Sequence, residues 1–180
     1  METYISILRG INVSGHKKIE MAGLKALYEA LNFKDVVTYI QSGNVIFKAG
    51  DKAANIQLSE KIGKAIFEEF NFEVPVIIRT RFEIEKIISA NPFLQQSDIH
   101  VEKLHITFLS EVPEEERSKK IVSLNYPPDK FIIQNKEVYL YVPGSYGNTR
   151  LSNNFFESKL KVSATTRNWK TVNKLLELAA

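Results

Sequence analysis

The chain has 180 residues, 44% of them hydrophobic and 25% charged, which is ordinary globular material for one domain or two small ones and excludes disorder as the default. It contains no Cys, so disulfides, zinc-thiolate sites and thiol nucleophiles are excluded together. A net charge of +3 permits an anionic partner without demanding one, no apolar run approaches the roughly 18 residues of a membrane span, and METYISILRG lacks signal-peptide features. The expectation is a cytoplasmic protein with no membrane partner.

Thr3 to Leu8 alternates and is β-branched or aromatic, which predicts a strand. After a Gly-containing loop, Met21, Leu24, Leu27, Tyr28 and Leu31 recur at helical spacing, with Asn32 near the C-cap. DVVTYIQSGNVIFKAG is a hairpin whose Ser42-Gly43 turn draws positive φ from the Gly. A second amphipathic helix with Ile56, Ile62, Ile66, Phe67 and Phe70 near one stripe leads to a strand at Val74 to Thr80. The order is β-α-β-β-α-β, the split βαβ unit of ferredoxin-like folds.

A helix from about Phe82 to Ala90 ends before Asn91-Pro92, since the residue preceding a Pro leaves helical space. The order then begins again. KLHITFLS is a strand, and VPEEERSKKIVSL a helix with three Glu at its favoured end. DKFIIQNKEVYLYV is a hairpin around Asn135-Lys136, and NNFFESKL a short helix. A brief strand at Val162 to Thr165 precedes the last helix, whose stripe is Trp169, Val172, Leu175, Leu176 and Ala179. The expected class is α+β: tandem ferredoxin-like (βαββαβ) subdomains with antiparallel sheets, over 1–80 and 103–180, with a connecting helix and linker over 81–102. Identity between the halves is negligible, so the repeat is architectural.

Four polar stretches sit at element ends. In RGINVSGHKK, Gly10 and Gly15 would let backbone N–H groups turn toward an anion shared with Arg9 and Lys17, although His16 stands where a P-loop needs Lys; the alternative is a solvated β-to-α connection. Gln41 and Asn44 flank a turn and would either read a ligand edge or serve turn chemistry. Pro143 to Asn154 is a long loop carrying Arg150 that either caps a site or leads to Ser152 as a helix N-cap. In ATTRNWKTVN, Thr166 or Asn168 can cap the last helix, while Arg167 and Lys170 lie where the helix dipole disfavours cations. Either their side chains bend away to surface carboxylates such as Glu157, or the helix end binds phosphate or carboxylate, with Arg167 as a fork and Lys170 as a point charge.

ILRGINVSGHKKIEM, VVTYIQSGNVIF and ATTRNWKTVNKL resemble the signature segments of the uncharacterised bacterial family called domain of unknown function 1697, and the similarity runs from Tyr4 to Ala179. The resemblance implies paired ferredoxin-like subdomains and no established activity. The pattern residues that carry over are Arg9, Gly10, Asn12, Gln41, Ser42, Gly43, Asn44, Thr166, Arg167, Asn168 and Trp169, with no family role attached. Members usually have Gly where this chain has Ser14 and Pro where it has Glu20.

Catalytic signals are thin. His16, His100 and His105 have no metal-ligand spacing, Glu114 to Glu116 suits a helix dipole, and no G-x-S-x-G occurs. No metal and no cofactor are expected. Alternation sets His105 and Thr107 on one side of a strand, where Tyr139 and Tyr141 would join them across the hairpin, and Tyr4 and Ser6 on one side of the first strand. Left open, such faces would stack single-stranded nucleic acid; packed, they would be core. The expected function is a binding module for a phosphate-bearing ligand, nucleotide or single-stranded nucleic acid, at Arg9, Gly10, Asn12, Lys17, Gln41, Asn44, Arg150, Thr166, Arg167, Asn168 and Lys170. The alternatives are a small enzyme on a phosphorylated or acidic metabolite, with His16 or Lys170 moving a proton, and a ligand-free scaffold.

Overall fold

The computed structural model describes residues 1–50 and 53–180. Among these, eight strands form two four-stranded antiparallel sheets accompanied by six α-helices. The chain divides into two compact units, one of Met1–Lys86 with Lys174–Ala180, the other of Ile87–Asn173.

The first unit runs β1 (Glu2–Leu8), α1 (Met21–Ala30), β2 (Lys34–Tyr39), β3 (Asn44–Ala49), α2 (Asn55–Phe70), β4 (Val76–Thr80), then the start of α3 (Arg81–Ser89). Its sheet order is β2-β3-β1-β4. The central strand β1 pairs with β3 on one side, Ile5 opposite Ile46, and with β4 on the other, Ile5 opposite Arg79. Opposed residues share a face, so Tyr4 and Leu8 join Val45, Phe47 and Ile78 in a core with Leu24, Tyr28, Leu58, Ile62 and Ile66 of the helices. Phe47 is its hub: its ring centroid lies 4.5 Å from Phe33, 5.4 Å from Tyr28 and 5.7 Å from Tyr4. The one polar side chain that β1 sends into this core, Ser6, hydrogen-bonds the Tyr28 hydroxyl at 2.7 Å, so both buried oxygens are satisfied. Ile56 and Phe67, expected on the buried stripe of α2, are 62% and 48% exposed. Leu58, Ile62 and Ile66 define that stripe instead, because their i, i+4, i+8 spacing turns Ile56 and Phe67 toward solvent.

The second unit repeats the order: β5 (Leu104–Leu109), α4 (Glu115–Val122), β6 (Lys130–Gln134), β7 (Glu137–Tyr141), α5 (Asn153–Leu160), β8 (Ala164–Asn168), then the first part of α6 (Trp169–Leu178). The sheet order, β6-β7-β5-β8, corresponds strand for strand to the first. Leu109, Val138, Leu140 and Ala164 pack with Ile121, Phe156 and Leu160 of the helices. The last strand is longer than its expected end at Thr165, because Thr166 and Arg167 continue the ladder opposite Thr107 and Ile106. Helix α6 therefore starts at Trp169, and Arg167 is a strand residue.

At residue level the two units share more than their order. Arg79 and Arg167 occupy the same sheet position, opposite Ile5 of β1 and Ile106 of β5. Both are buried, and each Nη1 donates to the carbonyl of the preceding residue at 2.9 Å. The next residue then serves the following helix: Thr80 Oγ1 accepts from Glu83 N–H at 3.1 Å, and Asn168 Oδ1 from Thr171 N–H at 2.8 Å. Glu83 answers by accepting the Thr80 N–H at 2.7 Å, which completes a capping box.

Edge strand β2 is irregular between Lys34 and Val37, where Asp35 takes a φ of 50° and its carboxylate meets Lys48 Nζ at 2.7 Å. The β2–β3 turn has Gly43 at φ 84°, as its sequence requires. A Cβ there would lie 2.6 Å from Ile11 Cδ1 and 2.9 Å from Leu8 Cβ, whereas one on Gly15, at φ 77°, would meet open space. Gly43→Ala is expected to cost about 2–4 kcal/mol in urea unfolding, from left-handed strain plus overpacking, and Gly15→Ala only about 1 kcal/mol.

Candidate functional site

The segment from Arg9 to Lys18 is a small hairpin finger. Ser14 and Gly15 have φ of 50° and 77°, both positive as in a type I′ turn, and His16 N–H donates to the Val13 carbonyl at 2.9 Å. One step back, Asn12 N–H donates to the Lys17 carbonyl at 3.1 Å, and both residues are left-handed. Ser14 thus keeps the backbone shape for which Gly is better suited. These tip amides close the finger's own hairpin.

Asn12 fixes the base of the finger. Its Nδ2 donates to the carbonyls of Ile19 and Gln41, each at 2.9 Å, and its Oδ1 accepts from Ile19 N–H at 2.9 Å. The finger is thereby tied to the β2–β3 turn, and Arg9 N–H and Lys17 Nζ bind it to the loop before β4 through the carbonyls of Pro75 (3.0 Å) and Glu73 (2.7 Å). Of the six predicted site residues in the first unit, Arg9, Gly10, Asn12, Lys17, Gln41 and Asn44, the structure brings all to this one end of the sheet. They differ in role. Asn44 is fully buried and spends its Nδ2 on the Tyr39 carbonyl and Ser42 Oγ, so it builds the turn. Val13 to Lys18 is exposed throughout, presenting His16, Lys17 and Lys18 in succession.

The residues predicted in the second unit are largely engaged in its own framework. Thr166 Oγ1 hydrogen-bonds Thr107 Oγ1 and Asn153 Oδ1, each at 2.7 Å, and Asn168 caps α6. Arg167 is buried in β8, with Nη1 donating to Thr165 Oγ1 and to the Thr166 carbonyl, each at 2.9 Å. Lys170 is exposed in the first turn of α6. Arg150 is exposed with its guanidinium 5.6 Å from the Tyr126 ring centre, a cation–π contact. Its loop is anchored by Leu151, which is fully buried, and by Ser152 Oγ, which accepts from Phe155 N–H at 3.2 Å to cap α5.

The sheet register also corrects the expected aromatic faces. Tyr139 and Tyr141 lie opposite Ile106 and Leu104, whereas His105 and Thr107 lie opposite Leu140 and Val138. The Tyr pair and the His-Thr pair therefore occupy different faces, and Tyr4, Tyr139 and Tyr141 are all buried. Burial and the neighbouring Glu137 carboxylate push the Tyr139 phenol up to about 12, and its hydroxyl donates to the Ile87 carbonyl at 3.0 Å. His105 stacks on Tyr146 with ring centres 4.7 Å apart, and burial holds its imidazole below the ordinary range. Among the described residues no group of three or more His, Asp or Glu gathers to hold a metal ion, and no helix is long and apolar enough to cross a membrane. Two buried charged residues, Arg79 and Glu137, lie outside the set that sequence pattern singles out. Strand position flags Arg79, which matches Arg167.

Asn12→Ala is expected to lower stability by about 2–3 kcal/mol in urea unfolding, since it strips the bonds of three backbone groups and leaves Ala at a left-handed φ. His105 adds a pH dependence. Its native form is neutral, so as pH falls through about 6.5 the unfolded chain takes up the proton first and stability drops. His105→Phe, which keeps the stack, is expected to flatten the fall in urea midpoint between neutral and mildly acidic pH.

The fold has a close counterpart among solved structures: the conserved bacterial protein SP0830 from Streptococcus pneumoniae superposes with a TM-score of 0.76, at 22% identity, covering 99% of each chain. Comparison with curated proteins gives no match. The family described as "Protein of unknown function (DUF1697)" matches residues 1–139, well over half of the chain and including the whole finger and its supporting turn. On that match, the chain belongs to the DUF1697 family.

Proposed function

We propose that the protein is a binding module for a phosphate-bearing partner, a nucleotide or single-stranded nucleic acid, working in the cytoplasm, and that each of its units is a ferredoxin-like domain. The β-α-β-β-α-β order and the β2-β3-β1-β4 and β6-β7-β5-β8 sheets support the fold assignment. One observation carries the functional reading: the finger holds His16, Lys17 and Lys18 exposed on a backbone that Asn12 clamps in place. From Arg9 to Ile19 the sequence has no acidic residue, so the finger's local field is positive. Clamping matters because a preorganised loop loses less conformational entropy when a ligand docks.

In this reading Arg9 and Lys17 at the base, with Lys18 and His16 at the flank, bind phosphate oxygens, and the exposed Gln41 beside them offers both donor and acceptor to a base or sugar edge. Gly10, at φ 75°, permits the chain reversal out of β1, while Asn12 and Asn44 hold the site together. Arg150, Thr166, Arg167, Asn168 and Lys170 are assigned no ligand contact.

Fluorescence anisotropy with a labelled single-stranded oligonucleotide, competed by nucleotides across a salt series, tests this. The logarithm of the affinity is expected to fall linearly with log salt, and the Lys17→Gln/Lys18→Gln variant to reduce the slope by about 1 to 2, as loss of one or two phosphate contacts requires. A slope of zero, or one unchanged in the variant, would exclude the finger as the phosphate site.

A further inference from the structure

In the second unit, a cavity of about 220 Å³ opens between α4 and α5. Its apolar lining is Ile121, which is 1% exposed, and Leu124, and its remaining lining is entirely cationic: Arg117, Lys120 and Lys159. Arg117 is oriented by Glu114, whose carboxylate accepts from Nε at 3.0 Å, leaving the guanidinium's other four N–H donors outside that bond. Among the described residues, neither Lys120 nor Lys159 makes an ion pair, although Lys119, the neighbour of Lys120, is paired with Glu115 at 2.7 Å. Lys near a helix C-terminus complements the helix dipole, which accounts for Lys120 and Lys159 separately. It does not account for three basic residues bordering one apolar hollow, where Arg117 has Glu114 as partner and Lys120 and Lys159 have no acidic partner among the described residues.

We infer that this cavity is a binding site for a small monocarboxylate with an apolar body, a single ring or a short aliphatic chain. Charge complementarity selects the carboxylate: the Arg117 fork matches its two oxygens, and Lys120 and Lys159 supply point charges. The Ile121 and Leu124 surface selects the apolar body. The volume sets the size, since it falls below the roughly 300–1,000 Å³ of sites for drug-sized ligands. The site is independent of the finger, which lies in the other unit.

Amide-detected NMR titration of the full chain with benzoate tests the inference, with benzyl alcohol, acetate and inorganic phosphate as parallel arms at constant ionic strength. Benzoate is expected to shift the Ile121 and Leu124 signals saturably while His16 to Lys18 stay unmoved. The Lys120→Ala/Lys159→Ala variant, altered only at exposed positions, is expected to weaken benzoate about tenfold, the equivalent of one charge-assisted hydrogen bond. Benzyl alcohol binding as well as benzoate would remove the anionic requirement, and acetate or phosphate binding as well would remove the apolar one. Either result overturns the inference, as does unsaturable benzoate or a variant with unchanged affinity.

Discussion

Directly opposed residues in an antiparallel sheet share a face, and a strand bonded on both edges imposes its alternation on each neighbour. Strands β1 and β5 are so placed, each between two partners of which one is an edge. Once Tyr4, Ser6 and Leu8 turn toward the helices, Val45, Phe47 and Ile78 must follow, and Ile5, Ile46 and Arg79 must take the opposite face. The second sheet obeys the same parity from β5, which sets Ile106, Tyr139 and Arg167 together. A one-residue slip in either central strand would carry that strand's side chains to the opposite face, away from the neighbours they pack with, so burial specifies register strongly. The equivalence of Arg79 and Arg167 is a product of that parity, repeated in two runs of elements with the same order and sheet arrangement.

Most of the strands and helices among the described residues are legible because they carry their period over several residues. The α5 boundaries, Asn153 to Leu160, coincide with the NNFFESKL segment, where Ser152 and a left-handed Lys161 punctuate both ends. Harder to read was the change of period at Thr165 to Trp169. Thr-Thr-Arg-Asn is neutral between a strand end and a helix start until pairing with β5 is known, and pairing is a non-local contact that local pattern does not encode. The same limitation explains Tyr139 and Tyr141. Alternation along β7 puts the two Tyr on one face, but which residues of β5 share that face depends on registration across strands.

At the candidate site, residue types were legible and their division of labour was not. The Gly and cation content of the Arg9–Lys18 segment marks an unusual loop, and its neighbour in space, the Gln41–Asn44 turn, stood out for the same reason. Amide side chains, however, bind backbone as readily as ligand. Only the folded chain separates Asn12 and Asn44, which hold carbonyls, from Lys18 and Gln41, which face solvent. The finger's left-handed residues show how far tertiary bonding overrides local preference: Asn12, Ser14 and Lys17 all adopt positive φ in a segment where Gly would do so with less strain.

The irregularity at Lys34 to Val37 bears on self-association. An edge strand with free backbone donors and acceptors is a template on which a second molecule can add its own strand. In the first sheet one such edge is β2, and the left-handed Asp35 with its Lys48 partner breaks the flat run of groups an incoming strand would need. The corresponding edge of the second sheet, Lys-Phe-Ile-Ile-Gln of β6, pairs with β7 without a shift in register and has half-buried Phe131, Ile132 and Ile133 at its centre. Of these two edges, β2 and β6, the second is the less guarded against an added strand.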